Sequence, residues 1–141
     1  MGGAAKELAP RFSEMNEKEF LDFMELEVKT GRCIKESKTI KSPAGPQEMI
    51  KYEYNDGTLV RYKPEGDSYR PGTTYSVEVK KNPDLPDMGP GDIALKVNER
   101  GLPVPKGPKD INNPYSDVND PRHEIYNKAI MDAGHKSIPR T

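Results

Sequence analysis

The chain has 141 residues, enough for one domain and too few for two full ones. Only 33% are hydrophobic and 32% are charged, against ~45% apolar in an ordinary globular domain, so the expected core is modest. The net charge of −1 excludes the overall basic excess that drives non-specific nucleic-acid binding, and any cationic site must be local.

Residues 1–15, opening Met1-Gly2-Gly3-Ala4-Ala5, read as a linker remnant, and residues 16–141 as a single domain. Asn16 followed by Glu19 has the spacing of a capping box, and Gly31 can supply a left-handed helix end. Between them Phe20, Met24 and Val28 share one stripe with Leu21 beside it, which predicts a helix over about 17–30. Cys33 to Pro46 is mixed and polar, with a short strand around Ile34 to Ile40. Ile50, Tyr52 and Tyr54 then alternate with Lys51 and Glu53, and Asn55-Asp56-Gly57 turns the chain into Val60 and Tyr62, which alternate with Leu59, Arg61 and Lys63. After a loop punctuated by Pro64-Glu65-Gly66-Asp67 and Arg70-Pro71-Gly72, Tyr75, Val77 and Val79 alternate with Ser76, Glu78 and Lys80.

Asn82 to Gly91 is proline-rich and suits neither a strand nor a helix interior. Ile93, Leu95 and Val97 alternate again, and Glu99-Arg100-Gly101 can turn toward Leu102 and Val104. Residues 105–119 are irregular. Asp120-Pro121 starts a short helix over about 121–133 with Ile125, Ala129, Ile130 and Ala133 on one stripe, closed by Gly134. The pattern is that of an α+β domain: four to five antiparallel strands packed on an N-terminal helix, with a short C-terminal helix and long Pro/Gly-rich loops.

The chemistry-bearing residues are few. The histidines, His123 and His135, are twelve apart with no cysteine pair, so no metal site is expected. There is no phosphate-cradling glycine loop or nucleophile elbow, and no cofactor is expected. Cys33, the only cysteine, excludes an internal disulfide and suits a reducing compartment; a lone thiol beside a helix end is ordinarily structural. No apolar run approaches the ~18 residues of a membrane span, and no basic-then-apolar secretory leader is visible.

The sheet's polar face gathers Arg61 and Lys63 on one strand with Ser76, Glu78 and Lys80 on another. If the strands are neighbours, acids and bases lie within reach across the ladder. Cleavage of RNA through a 2′,3′-cyclic phosphate needs a base for the 2′-hydroxyl, an acid for the leaving oxygen and cations for the phosphorane. Glu78 or His135 can serve as base or acid, while Arg61, Lys63 and Lys80 hold phosphate and Ser76 and Lys136 contact substrate. Asp67, Tyr69 and Arg70 form a second, loop-borne group. Solubility alone would also place alternating charges on an exposed sheet face, and the helix dipole alone can hold His135. His123, in a first helical turn, reads as structural. Tyr52, Tyr54, Tyr62 and Tyr75 suit either base stacking or a core.

The run Asp56-Gly57-Thr58-Leu59-Val60-Arg61-Tyr62-Lys63-Pro64-Glu65-Gly66-Asp67, with Arg70-Pro71-Gly72 and Tyr75 to Lys81, resembles C-terminal toxin domains of bacterial polymorphic toxins. These end Rhs-type, contact-dependent-inhibition and bacteriocin proteins. Asn113-Pro114-Tyr115 and Ala133-Gly134-His135 extend the resemblance over roughly residues 49–135. It implies an effector exported within a larger delivery protein, active in the cytoplasm of a target cell and neutralised in its producer by a cognate immunity protein. Many such domains are metal-independent ribonucleases of the barnase/EndoU/colicin/RelE class, which makes RNA, plausibly tRNA, the expected substrate. A toxin that hydrolyses NAD or transfers ADP-ribose suits the near-neutral charge better, and a non-catalytic binding or immunity-like module is the third reading.

Overall fold

The structure is a computed structural model that describes residues 3–42, 45–66, 72–80, 94–101, 119, 128 and 132–140. Asn16 starts helix α2 (Glu17–Lys29) by accepting a hydrogen bond from the Glu19 backbone N–H at 2.9 Å. Glu19 in turn accepts one from the Asn16 N–H at 3.0 Å. Two of the four donors orphaned at a helix start are thereby satisfied. Thr30 and Gly31 end the helix, Gly31 at the positive φ of +77° that a side chain resists. The stripe facing inward buries Phe20 and Met24 completely.

Residues read from sequence as a linker remnant instead form helix α1 (Gly3–Phe12). Ala5, Leu8, Ala9 and Phe12 are all buried to within 1%. Their i, i+3, i+4, i+7 spacing is one helical stripe. The small residues at its start and Pro10 near its end disguised that stripe. Pro10 leaves the Lys6 carbonyl without its helical donor. The chain passes that spot so closely at Gly101 that a Cβ there would lie 2.8 Å from the Lys6 Cα.

Among the described residues six antiparallel strands follow: β1 (Cys33–Ser42), β2 (Gly45–Tyr54), β3 (Leu59–Lys63), β4 (Thr74–Lys80), β5 (Ala94–Lys96) and β6 (Lys136–Ser137). Their order is β1-β2-β3-β4-β5, with β6 beside β4. β5 pairs with the Glu78–Lys80 end of β4 and β6 with its Thr74–Tyr75 end. In the β2–β3 turn, Asp56 accepts from the backbone N–H of Thr58 at 2.9 Å and of Ala4 at 3.0 Å, tying the start of α1 to the sheet.

The register puts Tyr52 opposite Val60, Val60 opposite Val77, and Tyr62 opposite Tyr75. These residues make the inner face, covered by both α1 and α2. Phe12 and Phe20 meet edge to face at 4.9 Å between centroids, and Phe20 stacks on Tyr62 at 5.4 Å. The α+β arrangement expected from the alternation is the one found. β1 is longer than expected because its polar run, solvated on both faces, carries no alternation. β6 follows the C-terminal helix, of which Lys128 and residues 132–134 are described. Its expected start at Asp120-Pro121, and the residues Leu102 and Val104 toward which the chain was expected to turn, lie outside the described residues. Among the described residues no helix is long and apolar enough to cross a membrane.

Candidate functional site

Strand parity builds the site. Arg61 stands opposite Ser76, and Glu78 stands opposite both Leu59 and Lys96, all on the face away from the helices. From there the Arg61 guanidinium and the Lys96 ammonium both donate to one oxygen, Oε1, of Glu78. Glu78 is only 4% exposed and Ser76 3%, whereas the Arg61 and Lys96 side chains keep 30% and 32% of their surface in solvent. A charge placed for solubility would not be buried, so solvation of an exposed face does not account for Glu78.

The electrostatics follow from that placement. Burial alone would raise the Glu78 carboxyl; Lys96 and then Arg61, by charge and hydrogen bond, overcome it and hold the group below the usual carboxylate range. Lys96 is pulled down by burial and by the neighbouring charges of Arg61 and Lys63, and Glu78 only partly restores it. Two cations thus converge on one carboxylate oxygen here, and the charge of Lys63 bears on Lys96.

Of the residues read from sequence, Arg61, Glu78 and Ser76 come together, and Lys63 bears electrostatically on the group. Lys96 was missed, although the alternation of Leu95 and Val97 already assigned residue 96 to the opposite face. His135 follows Gly134 just before β6 and is half-buried. Gly134 packs on the Lys96 stem: a Cβ there would lie 3.3 Å from Lys96 Cε. The tail carrying His135 therefore borders the ion cluster. Lys80 closes β4 opposite Ala94, its side chain outside the described residues, as are Asp67, Tyr69, Arg70 and His123.

Lys136 is not brought to this face. Its register opposite Tyr75 sends it to the inner side, where Nζ donates to the Val97 carbonyl at 2.6 Å and the Ala133 carbonyl at 3.2 Å, 5.5 Å from the Tyr75 ring centre. Burial lowers it to about 8. It joins β5, β6 and the end of the C-terminal helix rather than contacting substrate. The four tyrosines are 2–4% exposed and belong to the core, not to a base-stacking platform. Cys33 is 4% exposed, and burial raises its thiol above the usual range, which removes it as a nucleophile.

Comparison with protein-family models, curated proteins and solved structures finds no match to this chain.

Function is therefore argued from the residues themselves. A second buried carboxylate, Glu27, accepts from Tyr54 Oη at 3.0 Å and Arg32 Nη1 at 3.3 Å, and Arg32 also reaches Glu7 at 3.4 Å. A cleft of 370 Å³ lies beside it, lined in part by Glu7, Arg32 and Tyr54. Both carboxylate oxygens of Glu27 are engaged, and the set ties α1, α2 and β2 together. The Arg61–Lys96–Glu78 cluster differs in that two cations, each partly open to solvent, share one carboxylate oxygen. Among the described residues no His, Cys, Asp and Glu cluster suits a metal ion.

Proposed function

We propose that this chain is an antibacterial toxin domain that cleaves RNA, released from a larger delivery protein and restrained in its producer by an immunity protein. The supporting observation is the convergence of Arg61 and Lys96 on Glu78, with Lys63 nearby and the His135 tail packed against the Lys96 stem. In this reading Arg61, Lys63 and Lys96 take the phosphate and the charge of the phosphorane. Glu78, ionised and below the usual carboxylate range, is too weak a base and holds no proton to give; it positions the two cations. Proton transfer falls to His135, whose imidazole nitrogens can both accept and donate a proton. Protein groups alone can supply this chemistry, so cleavage should persist in chelator.

Discrete RNA fragments ending in 2′,3′-cyclic phosphate, lost in Lys96→Ala and His135→Ala, are the expected result with purified protein and total RNA. Loss of NAD, or a labelled protein target, with intact RNA would instead assign the nucleotide-directed toxin. A second reading is favoured by the burial of Glu78: the cluster ties β3, β4 and β5 within a non-catalytic binding module. Intact RNA and NAD, with no growth arrest on expression, would decide for that module.

A further inference from the structure

β1 is the terminal strand of the sheet, and among the described residues no strand pairs with its outer edge. Its side chains from Ile34 to Thr39 are exposed, Ile34 by 73%. Such an edge offers a row of backbone donors and acceptors to any strand that fits. The sequence Ile34-Lys35-Glu36-Ser37-Lys38-Thr39-Ile40 is complementary to itself when read outward from Ser37.

We propose that two copies of this chain pair their β1 strands antiparallel about a two-fold axis at Ser37. Ile34 of each copy then lies opposite Ile40 of the other, Glu36 opposite Lys38, and Lys35 opposite Thr39. Apolar meets apolar twice, acid meets base twice, and no like charges face each other across the seam. Odd residues face odd and even face even, so the helices of both copies stay on the same side of one continuous sheet. A shift of one residue toward the strand's start sets Lys35 against Lys38 and turns the two inner faces apart. Within one chain Glu36 and Lys38 already lie 3.6 Å apart with about half of each side chain exposed. That pair contributes little by itself and is free to exchange partners. The competing role for Lys35, Lys38 and Lys41 is to keep the edge from pairing at all, which predicts a monomer.

Sedimentation velocity on the full chain across the micromolar range separates the two. The wild-type protein should be a dimer in reversible exchange with monomer. K38E sets a carboxylate against Glu36 of the second copy twice and should weaken the dimer about tenfold or more. Adding E36K to it reverses both charges and should restore wild-type association. Both substituted residues, Glu36 and Lys38, lie outside the buried core, so circular dichroism should be unchanged throughout. A monomer at every concentration, a dimer indifferent to K38E, or a dimer not restored by the double swap would each overturn the proposal.

Discussion

On the helix side of the sheet, Tyr52, Tyr54, Tyr62 and Tyr75 form an aromatic interior, with the Lys136 ammonium 5.5 Å from the Tyr75 ring and carboxylates at its margin. There Tyr62 donates to Glu17 at 2.5 Å and Tyr54 to Glu27 at 3.0 Å. On the opposite side an equally buried group, Glu78, is itself charged, and its partners Arg61 and Lys96 reach out to water. The first arrangement draws stability from apolar area and aromatic packing. The second only offsets the cost of removing a carboxylate from water, and adds little net stability over an apolar equivalent. A chain with so small an apolar fraction gains more from the first. The persistence of the second is the physical ground for assigning it a role beyond folding.

Titration should pull the two faces apart, and this is the largest effect expected. Burial pushes Tyr52 from 10.0 up to about 12, and Tyr54, Tyr62 and Tyr75 are also raised chiefly by burial. For groups raised on folding, the stability they contribute is complete below the unfolded value and is lost as pH rises toward the folded one. Tyr52 alone accounts for about 3 kcal/mol; the four together should unfold the protein above pH 10. Lys136 acts in the other direction, since its folded value of about 8 lies below 10.5 and folding gains as pH climbs between the two. Glu78 is depressed on folding, so its contribution is present above 4.5 and lost as pH falls through its folded value. Denaturant titrations at each pH should show the alkaline limb moving in Tyr52→Phe and the acid limb flattening in Glu78→Gln. An acid limb unchanged in Glu78→Gln would mean the ion cluster does not form.

Substitution on each face sharpens the contrast. Val60 is fully buried between Tyr52 and Val77, and Val60→Asp should cost about 4 kcal/mol or more by placing an unpaired charge in the apolar layer. Glu78→Ala should cost less, about 2–3 kcal/mol, because the stranded Arg61 and Lys96 retain access to water. Replacing Arg61, Glu78 and Lys96 together by Met should return stability to within about 1 kcal/mol of wild type. RNA cleavage and toxicity should vanish in that triple variant, with the melting curve as the check on folding. Toxicity surviving in a folded triple variant would reduce the cluster to a tie between strands.

Most of the fold was legible wherever one face of an element is apolar. α2 and strands β3 and β4 follow directly from stripes and alternation, because burial on one side enforces a period. The signal fails in two physical situations. In β1 both faces are solvated, so no hydrophobic period exists to be read. In α1 the stripe exists, but two of its four members are alanines, whose burial leaves a weak mark. The candidate site was half legible for a related reason. Alternation assigns each residue to a face, which suffices for Arg61, Ser76 and Glu78. It does not show which strands are adjacent, so the contribution of Lys96 from β5 depended on topology. Nor does it reveal that the charged face over β4 is buried. Lys136 shows the same limit: one strand-register position separates the ion face from the tyrosine face.

The smallest predicted effect lies where the two faces meet, in the turn between β2 and β3. Thr58 is completely buried, and its Oγ1 is the one buried side-chain nitrogen or oxygen among the described residues without a hydrogen-bond partner. Its backbone is fully engaged, the N–H donating to Asp56 at 2.9 Å and the carbonyl accepting from Tyr54 N–H at 2.9 Å. The hydroxyl meets only the nearby Asp56 carboxylate, which it helps to lower, without the geometry of a full hydrogen bond. Thr58→Val keeps the branched shape and removes the cost of burying that hydroxyl, and should stabilise the protein by at most about 1 kcal/mol. The melting temperature should rise by roughly 3 °C for a domain of this length. Thr58→Ser, which keeps the hydroxyl and deletes the methyl, should move it the other way. A loss of stability in Thr58→Val would mean that the hydroxyl has a partner after all, and that the turn is polar where the packing makes it dry.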